Sequence, residues 1–244
     1  MSKMRPCPWF DGHAEQVVGF YLTVFTGKFM RTLHKALLVC LTFFLSLTTT
    51  AQQSPLELPA GDYTLDRSHA SLLFRVNHLG FSMYTARFVQ FDANLFFDPA
   101  NYEKSRLKVE VDARSLQTDF PNPEVIDFNQ MLQGEDWLST KQFPTMTYES
   151  TAVKTLGDRE MLVEGLLTLK GVTKPVTMNV TLNGGWAGIP QDPNARIGFS
   201  ARAQLLRSDF NISVGIPPEG TNFGVSDAVD VIIETEFSGP AWQQ

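Results

Sequence analysis

Between residues 106 and 114, Leu107, Val109, Val111 and Ala113 alternate with Arg106, Lys108, Glu110, Asp112 and Arg114. Successive side chains of a strand point to opposite faces, so this period of two predicts a strand with one apolar and one charged face. The pattern recurs. Met161, Val163, Gly165, Leu167 and Leu169 form one apolar row, and Val176, Met178, Val180 and Leu182 form another. Ile197, Phe199, Ala201, Ala203 and Leu205 make a third, and Val229, Val231, Ile233, Thr235 and Phe237 a fourth. Nearer the N-terminus, Ala70, Leu72, Phe74, Val76 and His78 share a face. Over 82–98 the parity changes: Phe88 is on the even face, whereas Phe91, Ala93, Leu95 and Phe97 are on the odd one. A parity change inside one long strand predicts a bulge or sharp bend near Val89 and Gln90. A shorter strand at 145–153 places Met146 and Tyr148 on one side.

These are about eight strands, each with one apolar face. Turn signals separate them, among them Gly80, Gly157, Gly171, Asn183-Gly-Gly and Pro190-Gln-Asp-Pro. No helical crossovers of the kind parallel strands require stand between them, so the order is expected to be antiparallel. One helix is predicted, over 122–137, with Asn122 as N-cap, Pro123 at the first helical position and Val125, Phe128 and Leu132 on one stripe. Long strands with a single short helix favour an all-β fold, an antiparallel β-barrel of about eight strands with the helix near its mouth.

The N-terminal fifth follows a different pattern. Met30 is followed by Arg31 and Lys35, an apolar run at 36–47, and the small residues Thr48-Thr-Thr-Ala51. A run of about 12 apolar residues suits a secretory signal peptide and falls short of the roughly 20 of a membrane span. Residues 30–51 are therefore expected to be a signal peptide cut after Ala51, and the mature protein to be periplasmic. Cys40 follows Val39 rather than a small residue, which argues against lipidation. Residues 52–60 read as a poorly ordered lead-in, 61–238 as the barrel domain and 239–244 as a C-terminal tail.

Removing 1–51 takes five of the 20 basic and two of the 26 acidic residues, leaving 15 and 24 and a net charge of −9. That balance excludes a basic nucleic-acid footprint. Both cysteines, Cys7 and Cys40, also lie in the removed part. The remaining 193 residues have no disulfide or thiolate available and must be held by their core.

Candidate chemistry is sparse. There is no G-x-S-x-G, no H-E-x-x-H and no glycine-rich phosphate loop. Two histidines follow residue 51, His69 and His78. Their odd separation places them on opposite strand faces, against joint metal ligation, and no metal is expected. His69 follows Asp66-Arg67-Ser68 and reads first as part of a turn network. His78 ends an apolar row; a satisfied core histidine and a polar group at a channel mouth both remain open. Arg207 and Asp209 read as a structural pair at a strand end. The small residues Ala70, Ala113, Gly165, Ala201 and Ala203 leave room inside the barrel for an extended lipid tail. Each buried CH₂ contributes roughly 0.8 kcal/mol, so such a tail needs no strong polar anchor.

Several segments carry a resemblance. YTLDRSHASLLFRVNHLGFSMYTARF (63–88) resembles the opening of the YceI-like family, with Asp66, His69, Phe74, His78, Gly80 and Phe88 in register. QFPTMTYES (142–150), GLLTLKGVTKPV (165–176), RSDFN (207–211) and VSDAVDVIIETEF (225–237) resemble its later elements. Where relatives carry a histidine before a mid-chain leucine, this chain has Met131-Leu132. The resemblance implies a lipocalin-like barrel that binds a polyisoprenoid, an isoprenoid quinone or another long amphiphile. Leu72, Phe74, Val76, His78, Val109, Val111, Tyr148, Val163, Leu167, Phe199 and Ala201 would line the channel. His69, His78 and Arg207 would stand near the polar end of the ligand. The expected partner is a long isoprenoid-like lipid, with no other cofactor and no catalytic residue, and a homodimer is left open. Two alternatives stand beside this reading: an enzyme using Asp66, His69 and His78 on an amphipathic substrate, and a structural stress-response barrel filled by its own side chains. Residues 7–25, CPWFDGHAEQVVGFYLTVF, resemble a fragment of the glyoxalase-type (vicinal-oxygen-chelate) proteins, so 1–29 read as a spurious or vestigial extension.

Overall fold

The computed structural model describes residues 57–241. The expected extension at 1–29 and signal peptide at 30–51 lie outside them. The described residues form a compact unit of their own. Its strands are β1 (Gly61–His78), β2 (Ser82–Phe88), β3 (Phe91–Phe97), β4 (Arg106–Asp112), β5 (Leu116–Gln117), β6 (Thr145–Thr155), β7 (Glu160–Leu169), β8 (Val172–Trp186), β9 (Asn194–Leu206) and β10 (Val225–Ala241). All pair antiparallel, and β10 pairs back onto β1 to close the sheet. β2 and β3 are the halves of one strand bent at Val89 and Gln90. β4 and β5 are likewise joined through a 3-10 turn at Ala113–Ser115. Counted that way, the closed barrel has eight strands, and closure leaves no long sheet edge exposed.

The bends set which residues face inward. β1 pairs with β3 over its first residues and with β2 from Leu72 to His78. Between these stretches its register against β10 jumps from Asp66↔Glu236 to Ser71↔Glu234. The three extra residues on β1 reverse its parity. Tyr63 and Leu65 point inward on odd positions, whereas Leu72, Phe74, Val76 and His78 do so on even ones. A further register shift at Thr151 lets both Ser150 and Val153 be buried on β6.

Three expectations are corrected. The helix α1 spans only Phe128–Leu132, capped by Asp127, whose carboxylate accepts the Gln130 N–H at 2.9 Å. Asn122 adopts a left-handed φ of 59° rather than the extended backbone of an N-cap, and only a turn follows it. The lead-in is not wholly loose: Leu58 is buried in the core, and the Pro59 carbonyl accepts the Tyr63 hydroxyl at 2.8 Å. The barrel also runs past 238. β10 continues to Ala241, and a Cβ on Gly239 would lie 2.1 Å from the Tyr63 ring, so only glycine allows that contact.

Candidate functional site

The inward faces enclose a cavity of about 620 Å³, within the roughly 300–1,000 Å³ usual for small-molecule sites. The structure places in its wall Leu72, Phe74, Val76 and His78 of β1, Val109 and Val111 of β4, and Tyr148 of β6. Val163 and Leu167 of β7 and Phe199 and Ala201 of β9 complete the expected set. Phe91, Ala93 and Leu95 of β3 and Val229, Val231 and Ile233 of β10 also line it, and their alternation carried the same signal. Phe120, Trp137 and Leu138 line it too, and no periodicity marks them.

One end is closed. Tyr63, Phe97, Phe199 and Phe237 meet edge to face with ring centroids 6.0–6.1 Å apart along the chain Tyr63–Phe97–Phe199–Phe237. Tyr102 stacks on Phe97 at 5.5 Å, and Leu58, Leu182, Ala195 and Ile197 pack around them. Burial pushes the Tyr63 phenol up to about 12. The other end is open: His78 and Phe120 both line the cavity and reach solvent. There Phe128 packs on Tyr84 at 6.0 Å and on Phe120 at 5.0 Å, so α1 borders the mouth.

Two polar side chains in the wall, Tyr148 and Arg207, are spoken for. The Tyr148 hydroxyl donates to the Val163 and Val176 carbonyls at 3.0 and 3.2 Å, and burial pushes its phenol up. Arg207 is 5 % exposed and does not pair with Asp209 as expected. Its Nε–H donates to the Ser226 carbonyl, Nη1 to those of Ile212 and Val214, and Nη2 to that of Val225, at 2.7–3.2 Å. Four of its five N–H groups are thereby used. Its guanidinium also lies 5.6 Å from the Trp137 ring centroid. Burial draws its pKa down, with nearby Asp227 opposing. Arg207 therefore ties residues 212–226 to the barrel end rather than offering a free head-group contact.

A match to the YceI-like domain spans residues 63–237, almost the whole barrel. The chain belongs to the YceI-like family. Protein YceI of Escherichia coli O157:H7 is 35 % identical over 183 residues, covering 72 % of this chain and 86 % of the relative. The crystal structure of the Campylobacter jejuni YceI protein superposes with a TM-score of 0.57 at 26 % identity, covering 67 % of this chain and 90 % of that one. A polyisoprenoid binding domain from Saccharophagus degradans has the same fold, with a TM-score of 0.50 at 17 % identity over 73 % of this chain and 98 % of that one.

In this YceI-like barrel the small residues do not all leave space for a ligand. A Cβ on Gly165 would lie 2.4 Å from the Tyr148 ring, so the room there belongs to Tyr148. Ala113 is buried in its 3-10 turn, and Ala70 packs against the core cluster around Tyr63. Ala201 and Ala203 do line the cavity.

The two histidines part company. His78 stands at the mouth, whereas His69 is on the outer surface and does not reach the cavity, contrary to its expected place near the polar end. His69 Nδ1 lies 3.1 Å from Asp66 Oδ2 and 3.8 Å from Glu236 Oε2. These three residues bring potential metal-ligand atoms within 4.8 Å of one another. Arg196 Nη1 contacts the same Asp66 oxygen at 3.1 Å, and the Ser68 N–H donates to Asp66 Oδ1. The group reads as an ion-pair network pinning the β1 bulge.

Proposed function

We propose that this barrel binds a long isoprenoid-like amphiphile, such as a polyprenyl lipid or an isoprenoid quinone, and carries it in the periplasm. The observation that carries this reading is an apolar cavity with one open end, whose buried Tyr148 hydroxyl is already hydrogen-bonded. Such a space favours a flexible apolar chain, at roughly 0.8 kcal/mol per buried CH₂, over a polar small molecule. The polar end of the ligand would rest at the mouth beside His78. The fold shared with the Saccharophagus polyisoprenoid binding domain supports the ligand class. The signal-like segment 30–51 supports export. A catalytic role joining Asp66, His69 and His78 finds no common space, because His69 and Asp66 meet outside the wall that His78 lines.

Native mass spectrometry of protein purified without detergent tests the carrier. A co-purifying lipid, or uptake of added isoprenoid quinone, is expected. Protein that rejects both quinones and polyprenyl phosphates would sink the reading. N-terminal sequencing of the exported protein should begin at Gln52, and peptides from 6–28 in it would overturn the reading of 1–29 as a spurious or vestigial extension.

A further inference from the structure

Two neighbouring loops at the open end carry the most exposed large apolar side chains of the described barrel. Phe81, between β1 and β2, is 84 % exposed, and Phe223, just before β10, is 87 % exposed. The loops are tied together: the Leu79 N–H donates to the Gly224 carbonyl at 2.9 Å, and Asn222 packs against Gly80. They are also held within themselves. Gly80 N–H reaches the Asn77 side chain at 2.7 Å, Phe81 N–H the His78 carbonyl at 2.9 Å, and Val225 N–H the Gly215 carbonyl at 2.8 Å. Both phenylalanines therefore project from ordered backbone. Val214 and, beyond Tyr84 and Phe120, Val125 and Ile126 extend the apolar rim.

The charge pattern is equally local. Residues 76–86 and 211–226 together hold a single formally charged side chain at neutral pH, Glu219, with histidine neutral. At the 19 % charged content of the chain, about five would be expected in that length. Isolated exposed apolar residues are ordinary on protein surfaces, but a neutral ring of them around the mouth of a cavity marks an interaction surface.

We propose that this rim docks on a neutral, zwitterionic lipid bilayer, with Phe81 and Phe223 entering the interface and the cavity mouth facing the acyl region. Three observations select a bilayer. Phe81 and Phe223 stand almost fully exposed on loop tips and line no groove, which suits insertion rather than the seating of a peptide. Residues 76–86 and 211–226 hold none of the basic residues that an anionic membrane would call for. Lys170 reaches their edge at the Asn211 carbonyl, and Asp119 is paired with Arg87. Acidic Glu219 lies among them, and Glu124 and Asp127 flank them. The cavity opens inside the ring, so the docked surface has to be one from which a long apolar chain can enter. A protein capping the same ring would close that exit. This inference rests on the carrier reading for its purpose, although the docking itself is measured separately.

All strand pairings of the barrel close within Gly61–Ala241, so the chain from Gln52 to Gln244 carries the fold and is free of the apolar 36–47 run. It should float with phosphatidylcholine vesicles. The F81S/F223S variant, with an unchanged circular dichroism spectrum and melting temperature, should lose at least about tenfold in vesicle partitioning. L156S, at the opposite end of the barrel, should partition like the parent. A parent chain that stays with the soluble fraction overturns the proposal, as does a double variant that floats equally well. So does a parent that is dimeric by light scattering and becomes monomeric in F81S/F223S without binding vesicles, because the rim is then a contact between copies. Binding confined to vesicles containing phosphatidylglycerol also overturns it. The same preparations are offered isoprenoid quinone from ethanol. Loading without phenylalanine-dependent flotation leaves the carrier and removes the docking; flotation without loading does the reverse.

Discussion

At the closed end of the barrel the inward positions hold Tyr63, Phe97, Phe199 and Phe237; toward the open end they hold Val76, Val176, Ala203 and Val229. The strands are continuous between the two regions, and the alternation is the same. Only side-chain reach differs. An eight-stranded barrel is just wide enough to be filled by large side chains or to hold one ligand, and this chain does each in a different half. Aromatic rings meet at the axis and form a floor. Toward the mouth, Val76, Val176, Ala203 and Val229 stop at the wall, between rings such as Phe74, Phe88 and Phe91 that line it. The closed half thus supplies packing, while the open half carries apolar surface that only a ligand could cover.

This contrast predicts unequal costs for similar truncations. Phe97 is 1 % exposed and touches Tyr63, Tyr102 and Phe199. Phe97→Ala should lower unfolding stability by about 3–5 kcal/mol, because its ring is packed between other rings of the floor and its loss extends the cavity into that floor. Phe74→Ala lies in the cavity wall, where its ring contacts Phe88 at 5.6 Å. It should cost about 1.5–3 kcal/mol, mainly the lost transfer of its own surface. Urea unfolding of both variants measures the gap, and equal losses would erase the distinction between the two halves.

The converse substitution sharpens it. Ala203→Phe adds volume into the cavity. In a packed core such overfilling costs about 1–3 kcal/mol, whereas here it should cost less than that or stabilise slightly. It should also displace part of the ligand tail. Excluding two or three methylenes at roughly 0.8 kcal/mol each weakens binding by more than tenfold. Quinone titration and urea unfolding of one preparation report both effects. Unchanged quinone affinity would place the ligand elsewhere.

The faces of β4, β7, β9 and β10 were legible because each alternates without interruption. The bend at Val89 and Gln90 was legible too, since large apolar residues stand on both sides of it with opposite parity. The bulge in β1 was hidden. Arg67, Ser68 and His69 are all polar, so the pattern stops before Tyr63 and Leu65 can show that the strand runs on with reversed parity. The helix was overextended because Asn122-Pro123 looks like a cap, while the working cap is Asp127, with Gln130 three residues later. The pairing of Gly165 with Tyr148 depends on strand register across the sheet, and the cage around Arg207 is made of backbone carbonyls. Neither leaves a mark on side-chain periodicity.

The seam between the two halves gives the smallest effect and a pH signature. The β1 bulge is where its pairing changes from β3 to β2, and His69, Asp66, Glu236 and Arg196 gather there. The hydrogen bond to Asp66 raises the His69 pKa above its ordinary value, and the Glu236 charge adds to it. The same bond to His69 is the main reason that the Asp66 carboxyl lies below its ordinary range, with the Ser68 N–H contributing next. These shifts are one interaction seen from both partners. A histidine with a raised folded pKa stabilises fully below its unfolded value of about 6.5, and that contribution fades as pH climbs through the folded value. The lowered Asp66 pKa contributes above about 3.9 and is lost on acidification. The network should therefore help most between those limits. Because His69 is exposed, the effect is small and weakens with salt. The melting-temperature difference between the parent and His69→Gln should favour the parent at pH 5.5 and shrink by pH 8.5. A difference that instead widens toward alkaline pH would mean that His69 acts as a neutral hydrogen-bonding group, leaving Arg196–Asp66 as the charge pair that pins the seam.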